Sequence, residues 1–335
     1  MNILVTGGAG FIGRWVVKRL LEDGHRVVAL DNLSNGSLEN IQDLQEREDF
    51  KFIIGDIKDE KILDEIFKEK FDIIYHLAAS INVQDSIDDP RTTFFNDTVG
   101  TFNILEKAKI QMFGKNGRMD GDGWVLDPSE DTYPCKVVFM STCMVYDVAG
   151  AAGIDERHPT KPVSPYGGSK IAAENMVLSY CNAYKLPTVV IRPFNTYGPF
   201  QKTGGEGGVV AIFINNSIHG RDINIYGGGD QTRDLLYVKD CARFVIMAGY
   251  CGKVNGEIVN AGTGRDVTIN ELAEIISNDR VSIKHVKHIH PQSEIMKLKC
   301  NYSKAKELMA WEPEYTLEQG IKETEQWIKG TKLLK

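Results

Sequence analysis

The chain has 335 residues, 42% hydrophobic and 25% charged, with a formal net charge of −7. This length predicts one large α/β unit with a smaller partner, and the balanced composition excludes a disordered tail protein or a coiled coil. The acidic balance offers no basic field to phosphate backbones or anionic lipid, so neither nucleic acid nor membrane is an expected partner.

No apolar run approaches the roughly 18 residues of a spanning helix. Met1 leads straight into a strand-like run without a signal-peptide layout, which makes a cytoplasmic location the expectation. Cys135, Cys143, Cys181, Cys241, Cys251 and Cys300 form no C-x-x-C pair, so reduced thiols are expected.

The elements begin with an aliphatic strand over Asn2–Val5, a glycine turn and an apolar-periodic helix over Phe11–Leu21. Strand Arg26–Leu30, a helix near Leu38–Arg47, strand Phe52–Ile54, helix Glu60–Phe67, strand Asp72–His76 and a long helix near Arg91–Ala108 follow. Between Gln111 and Pro134 a Gly- and Asp-rich stretch predicts a surface insertion, because its apolar content is too sparse for a core element. Strand Val137–Met140, helix Pro165–Tyr184 and strand Thr188–Ile191 complete the series. Such βα alternation predicts an α/β fold of Rossmann type, a doubly wound parallel sheet. After Pro193 the glycines thicken around helices near Gly208–His219, Ile269–Ile276 and Leu317–Ile328, which predicts a smaller C-terminal α/β lobe. The expected division is 1–193, with a return near 232–261, for the larger unit, and 194–231 with 262–331 for the smaller lobe.

Thr6-Gly7-Gly8-Ala9-Gly10-Phe11-Ile12-Gly13 places glycines at G-x-x-G-x-x-G spacing between a predicted strand and helix. Gly7 permits the tight turn, Gly10 lets backbone approach a pyrophosphate, and Gly13 lets helix and strand pack closely. The pyrophosphate is expected on the N-terminus of the helix opened by Phe11 and Ile12, where unpaired N–H groups favour negative charge. Glycine turns are also common in structural loops, so the strand-turn-helix context carries the reading. Asp31, followed by Asn32, ends the second strand 18 residues beyond Gly13. A carboxylate there accepts from a ribose 2′-hydroxyl and repels a 2′-phosphate, which favours NAD over NADP; a plain turn residue is the alternative. Asp56 and Ile57, after the third strand, are placed for the adenine edge, and Leu77-Ala78-Ala79, after the fourth, leave room for the cofactor.

Tyr166 and Lys170 stand four apart in a predicted helix and share one face. A tyrosine, with an ordinary pKa near 10, becomes a base near neutrality only where positive charge favours its phenolate, and an ammonium one turn away supplies it. Tyr-x-x-x-Lys is also a frequent accident on exposed helices. Thr142 follows a strand at the carboxyl edge of the sheet, where ligands bind in such folds, and is placed to hydrogen-bond the same substrate oxygen.

Together these residues resemble the extended short-chain dehydrogenase/reductase family, in its branch of nucleotide-sugar epimerases, dehydratases and decarboxylases. The resemblance covers Gly7/Gly10/Gly13, Asp31, Leu77-Ala78-Ala79, the Asn96–Asn103 stretch, Thr142, Tyr166-x-x-x-Lys170, Arg192-Pro193-Phe194-Asn195-Thr196-Tyr197-Gly198-Pro199 and Thr232-Arg233-Asp234. It implies hydride removal from sugar C4 by NAD, with Tyr166 as base, Lys170 as its electrostatic support, Thr142 as hydroxyl partner and Asn96 at the cofactor. It further implies that Asn195 and Arg233 hold a diphosphate, that Tyr226 lines the base pocket, and that Lys297 stands where relatives carry a second phosphate-binding arginine. Ser80, Met144, Gly208 and Val209 complete the implied substrate contacts. The run Gly204-Gly205-Glu206-Gly207-Gly208 is expected to close over the diphosphate, a flexible loop being the alternative. His285, His288 and His290 lack matching acidic or cysteine ligands, so no metal is expected. A homodimer through the helices near Arg91 and Pro165 is the family expectation.

The subclass turns on the residues after Thr142. Most 4,6-dehydratases of the family carry Asp-Glu there, and decarboxylases a nearby glutamate, whereas this chain has Cys143 and Met144. Met144 cannot titrate. Cys143 can, and a partly buried thiol of ordinary pKa about 8.5 stays protonated and serves as an acid. A Thr-Cys pair resembles UDP-N-acetylglucosamine dehydratases that eliminate water across C5–C6, and this is the expected reaction. A UDP-hexose 4-epimerase, with Cys143 as a neutral filler, stays open. So does a non-catalytic redox-sensing binding protein, which the presence of Tyr166 and Lys170 disfavours.

Overall fold

The computed structural model of the protein describes residues 1–121, 123–204, 208–288 and 291–332. In chain order the elements are β1 (Asn2–Thr6), α1 (Phe11–Glu22), β2 (Arg26–Asp31), β3 (Phe50–Ile54), α2 (Glu60–Ile66), β4 (Ile73–His76), α3 (Val83–Asp88), α4 (Pro90–Phe94), α5 (Gly100–Phe113), β5 (Arg118–Asp120), β6 (Gly123–Val125), β7 (Lys136–Met140), α6 (Pro165–Tyr184) and β8 (Thr188–Pro193). They continue with β9 (Asn195–Tyr197), α7 (Val209–Ile218), β10 (Ile223–Tyr226), β11 (Thr232–Tyr237), α8 (Val238–Tyr250), β12 (Ile258–Ala261), β13 (Asp266–Thr268), α9 (Ile269–Ser277), β14 (Ile283–Val286), β15 (Lys297–Leu298), α10 (Ser303–Met309) and α11 (Leu317–Lys332).

The chain divides into two compact units. One comprises Met1–Thr142, Ser164–Arg192 and Ala242–Val259; the other comprises Cys143–Val163, Pro193–Cys241 and the chain from Asn260 onward.

The first unit is built on a seven-stranded sheet in the order β12-β8-β7-β4-β1-β2-β3. All pairs from β8 to β3 are parallel. Helices cover such a sheet on both faces, so its strands are apolar throughout rather than alternating: Ile3, Leu4 and Val5 of β1 and Val137, Val138 and Phe139 of β7 are all buried. Strand order reverses between β1 and β4, which makes their carboxyl ends the crevice where an open α/β sheet takes ligands. The helices start where local chemistry directs. Ser164 caps α6 by accepting from Gly167 N, with Pro165 at the first position, and Asp59 caps α2.

Three local expectations change. The predicted helix near Leu38–Arg47 is a 3₁₀ helix over Leu38–Leu44, capped by Ser37. The predicted helix near Arg91–Ala108 is α4 and α5 joined through a π-turn over Phe95–Val99. The 111–134 stretch begins inside α5 and forms the β5–β6 hairpin, which Trp124 anchors by stacking on Phe113 at 4.3 Å.

The second unit centres on β11, which pairs parallel with β9 and β15 and antiparallel with β13. A separate parallel pair joins β10 and β14. Thr268 and Glu271 form a capping box that starts α9. Among the described residues, no helix is long and apolar enough to cross a membrane.

Candidate functional site

In the first unit the glycine turn lies at the end of β1, against the segment that follows β4. Gly7 has φ +72°, and a Cβ on it would lie 2.8 Å from Ala78 N, so both backbone conformation and the approach of Leu77-Ala78 require glycine. A Cβ on Gly13 would meet Gly7 O at 2.0 Å, which fixes the close packing of α1 against the turn. Gly10 is the N-cap of α1 and supplies no side-chain cap. A Cβ there would meet only Gly7 O, at 3.1 Å, so backbone is accessible at the point where Phe11 and Ile12 open the helix. An uncapped helix start with an open glycine is a cradle that a pyrophosphate fits.

Asp31 ends β2 with its carboxylate turned into this cradle. Oδ2 accepts from Ala9 N at 3.0 Å and Oδ1 from Leu33 N at 2.8 Å. Burial raises its pKa from the ordinary value and these backbone donors oppose the rise. Each oxygen retains acceptor capacity for a ribose hydroxyl, and a 2′-phosphate would face a carboxylate. Asn32 donates to Asp56 Oδ2 at 3.0 Å, joining the ends of β2 and β3, and Ile57 is buried beside them. Asn96 donates to Ser80 Oγ at 2.7 Å and accepts from Lys58, so it ties the segment after Ala79 to the π-turn.

Tyr166 occupies the first turn of α6, and Lys170 follows one turn later; both are buried. Lys170 Nζ lies 4.6 Å from the centroid of the Phe139 ring on β7. Burial lowers the Lys170 pKa from its ordinary value, while the charges of Asp97 and then Glu174 raise it. Thr142, also buried, lies just beyond β7. The geometry joins two groups that sequence reasoning missed. Asp97 looks like one polar residue inside a helix. Glu174 and Arg192 are 18 residues apart and pair only in the fold, through hydrogen bonds of 2.8 and 2.5 Å.

In the second unit Cys143 opens the short turn Cys143–Val145, buried, with Sγ 4.0 Å from Asn195 Oδ1. Met144 is half-buried beside it. Arg233 and Lys297 lie on neighbouring strands, with Thr232 in register with Lys297 and Arg233 with Leu298. Arg233 Nη1 donates to Thr232 O at 2.7 Å and Ile295 O at 2.8 Å, and Nη2 pairs with Glu294. Burial lowers the guanidinium to about 10, with Cys143 opposing, so it is cationic at neutral pH. Asp234 anchors the same strand. It accepts from Thr263 N, Gly264 N and Cys300 N at 2.7, 2.9 and 3.0 Å, and burial raises it to about 6.

Gly208 caps α7, of which Val209 is the first residue, and a Cβ on Gly208 would meet Gln201 Nε2 at 2.3 Å. Of the expected closing run, Gly205, Glu206 and Gly207 lie outside the described residues. Tyr226 ends β10, exposed and edge-on to His288 at 6.2 Å. His288 Nε2 is 2.8 Å from Glu294 Oε2, and His285 Nδ1 is 3.0 Å from Gly227 O; His290 lies outside the described residues.

The GDP-mannose 4,6 dehydratase family model matches residues 4–324. A protein from Methanocaldococcus jannaschii named as a putative UDP-glucose 4-epimerase is 35% identical, covering 98% of both chains. The X-ray structure of Pal from Bacillus thuringiensis is 61% identical, with TM-score 0.91 over 99% of this chain and 100% of that one. The dTDP-glucose 4,6-dehydratase of Bacillus anthracis, solved in complex with NAD, is 30% identical, with TM-score 0.82 over 100% of both chains. The chain therefore belongs to the extended short-chain dehydrogenase/reductase family of nucleotide-sugar dehydratases and epimerases.

Proposed function

We propose that the protein is an NAD-dependent dehydratase of UDP-N-acetylglucosamine that works by transient oxidation at C4 and loss of water across C5–C6. The cofactor is NAD, consistent with the open glycine cradle and with Asp31 at the end of β2. Held by the Gly7–Gly13 turn and Asp31, it would supply a reversible hydride acceptor for sugar C4. Tyr166 takes the proton of the C4 hydroxyl, Lys170 stabilises the resulting phenolate, and Thr142 hydrogen-bonds the same oxygen. The C4 carbonyl makes the C5 proton acidic. The Cys143 thiol protonates the departing C6 oxygen, its sulfur recovers a proton from C5, and Tyr166 returns its proton to the C4 oxygen. The balance is substrate less one water, with cofactor and side chains restored. Lys297 carries positive charge for a diphosphate, Arg233, whose guanidinium pairs with Glu294, supplies its remaining donors, Asn195 holds the same diphosphate, and Tyr226 faces the base.

The observation that carries this reading is the Cys143–Val145 turn: its single side chain with a transferable proton is the buried thiol directly after Thr142. A 4-epimerase is the second reading, favoured by the name of the Methanocaldococcus relative and by the inert Met144. Incubation with UDP-N-acetylglucosamine followed by mass analysis separates the two. Loss of one water supports elimination, whereas an isomer of unchanged mass reverses the choice. Cys143→Ala is expected to abolish water loss while NAD binding persists, and near-normal turnover would remove Cys143 from the mechanism.

A further inference from the structure

The helical run from Pro90 to Phe113 widens into a π-turn over Phe95–Val99. Such insertions are rare and concentrate at functional sites. This one includes Asp97, which is buried. Its Oδ1 accepts from Ser80 N at 2.7 Å, and its Oδ2 lies 3.0 Å from the Ser169 hydroxyl, whose single proton also has Tyr166 O within reach at 2.8 Å. The next residue, Thr98, donates its hydroxyl to Ser169 O at 3.2 Å. Two successive residues of the π-turn thus grip α6 at the position just before Lys170, and one of them also holds the segment that follows β4.

Near Lys170, β4 contributes His76, kept neutral by burial, and β7 the Phe139 ring. On α6 itself are Tyr166 and Glu174. Glu174 shares its charge with Arg192 of β8 through two hydrogen bonds, which weakens its pull. Asp97 accepts from neutral donors at Ser80 and Ser169; burial raises its carboxyl from the ordinary value, and the Lys170 charge, then these donors, oppose that rise. Burial alone would drive Lys170 toward the neutral amine, and Asp97 is the foremost opposing charge.

We propose that Asp97, fixed against α6 at Ser169, is a positioning residue that keeps Lys170 protonated in support of Tyr166. The role rests on the reading of Tyr166 and Lys170 given above. In functional terms, Asp97 sets the upper pH limit for proton transfer at sugar C4, because the phenolate loses its support once the ammonium loses its proton.

The test uses the full chain with lysine labelled with ¹³C at Cε, the Lys170 resonance being assigned through Lys170→Arg. Asp97→Asn is expected to lower the Lys170 titration midpoint by about one to three pH units. The alkaline limb of kcat/KM should fall with it, and Asp97→Glu should restore most of the shift. Asp97→Ser serves as a second charge-removing variant should Asp97→Asn not fold. An unmoved midpoint in the charge-removing variants overturns the inference, even in a protein that turns over substrate. A lowered midpoint in a protein that converts no nucleotide sugar upholds the inference and refutes the proposed function.

Discussion

His76 illustrates how one side chain makes stability depend on pH. Its Nδ1 lies 2.7 Å from Thr6 Oγ1 and its Nε2 3.0 Å from Thr101 Oγ1. The Thr101 hydroxyl donates to Asp97 O, so its oxygen accepts Nε2–H, and Nδ1 accepts from Thr6. Burial, with the Lys170 charge second, lowers the imidazole from 6.5 to about 3. Between those values the unfolded chain binds a proton that the folded one refuses, so this contribution is complete above pH 6.5 and is lost as pH falls. At pH 5 the loss amounts to about 2 kcal/mol. Urea denaturation should therefore show a lower midpoint at pH 5 than at pH 7, and His76→Gln should flatten that difference. An equal pH dependence in the variant would mean that the imidazole is not the group responsible.

Among the elements, the β1-turn-α1 unit was legible in the sequence nearly to the residue, because glycine spacing and apolar period are local signals. At Gly13 its tolerance is set by atoms from within the turn itself. A methyl group on Gly13 would lie 2.0 Å from Gly7 O, where neither side can yield without opening the turn. Gly13→Ala is expected to weaken NAD binding by about tenfold or more, equal to about 1.4 kcal/mol. Calorimetric titration that returned an unchanged Kd would mean that the turn relaxes freely. The π-turn was not legible, since periodicity over 91–108 reads as continuous helix and a single wide turn leaves no compositional mark. Its insertion rests on packing against α6 rather than on propensity. The 3₁₀ stretch over Leu38–Leu44 escaped for a similar reason: the pattern there is too short to separate the two helical forms.

For the whole molecule, the outward-facing aromatic side chains of the helical run 90–113 matter most. Phe94, Phe95 and Phe102 are 47%, 44% and 40% exposed, an unusual concentration of apolar surface for a polar helix face. We infer a homodimer that covers them, so light scattering should return twice the 37.4 kDa of one chain. Replacing Phe95 and Phe102 together by glutamate should yield the monomer. A monomeric wild-type protein at micromolar concentration would refute this assembly. The division into two units follows neither chain order nor the position of Pro193 alone. Residues 143–163 cluster with the second unit, so Thr142 and Cys143 fall on opposite sides of a boundary that runs between consecutive residues.

What the amino-acid order determined by itself was the set of signals that act over a few residues: the glycine turn, the acidic end of the second strand, the one-turn spacing of Tyr166 and Lys170, and hence the family. Helix and strand geometry are local, so such spacing translates directly into shared faces. The tertiary structure alone decided which charges surround those groups. Burial and Coulombic coupling depend on segments distant in the chain, and only packing brings Asp97 toward Lys170, Arg192 onto Glu174 and Glu294 onto Arg233.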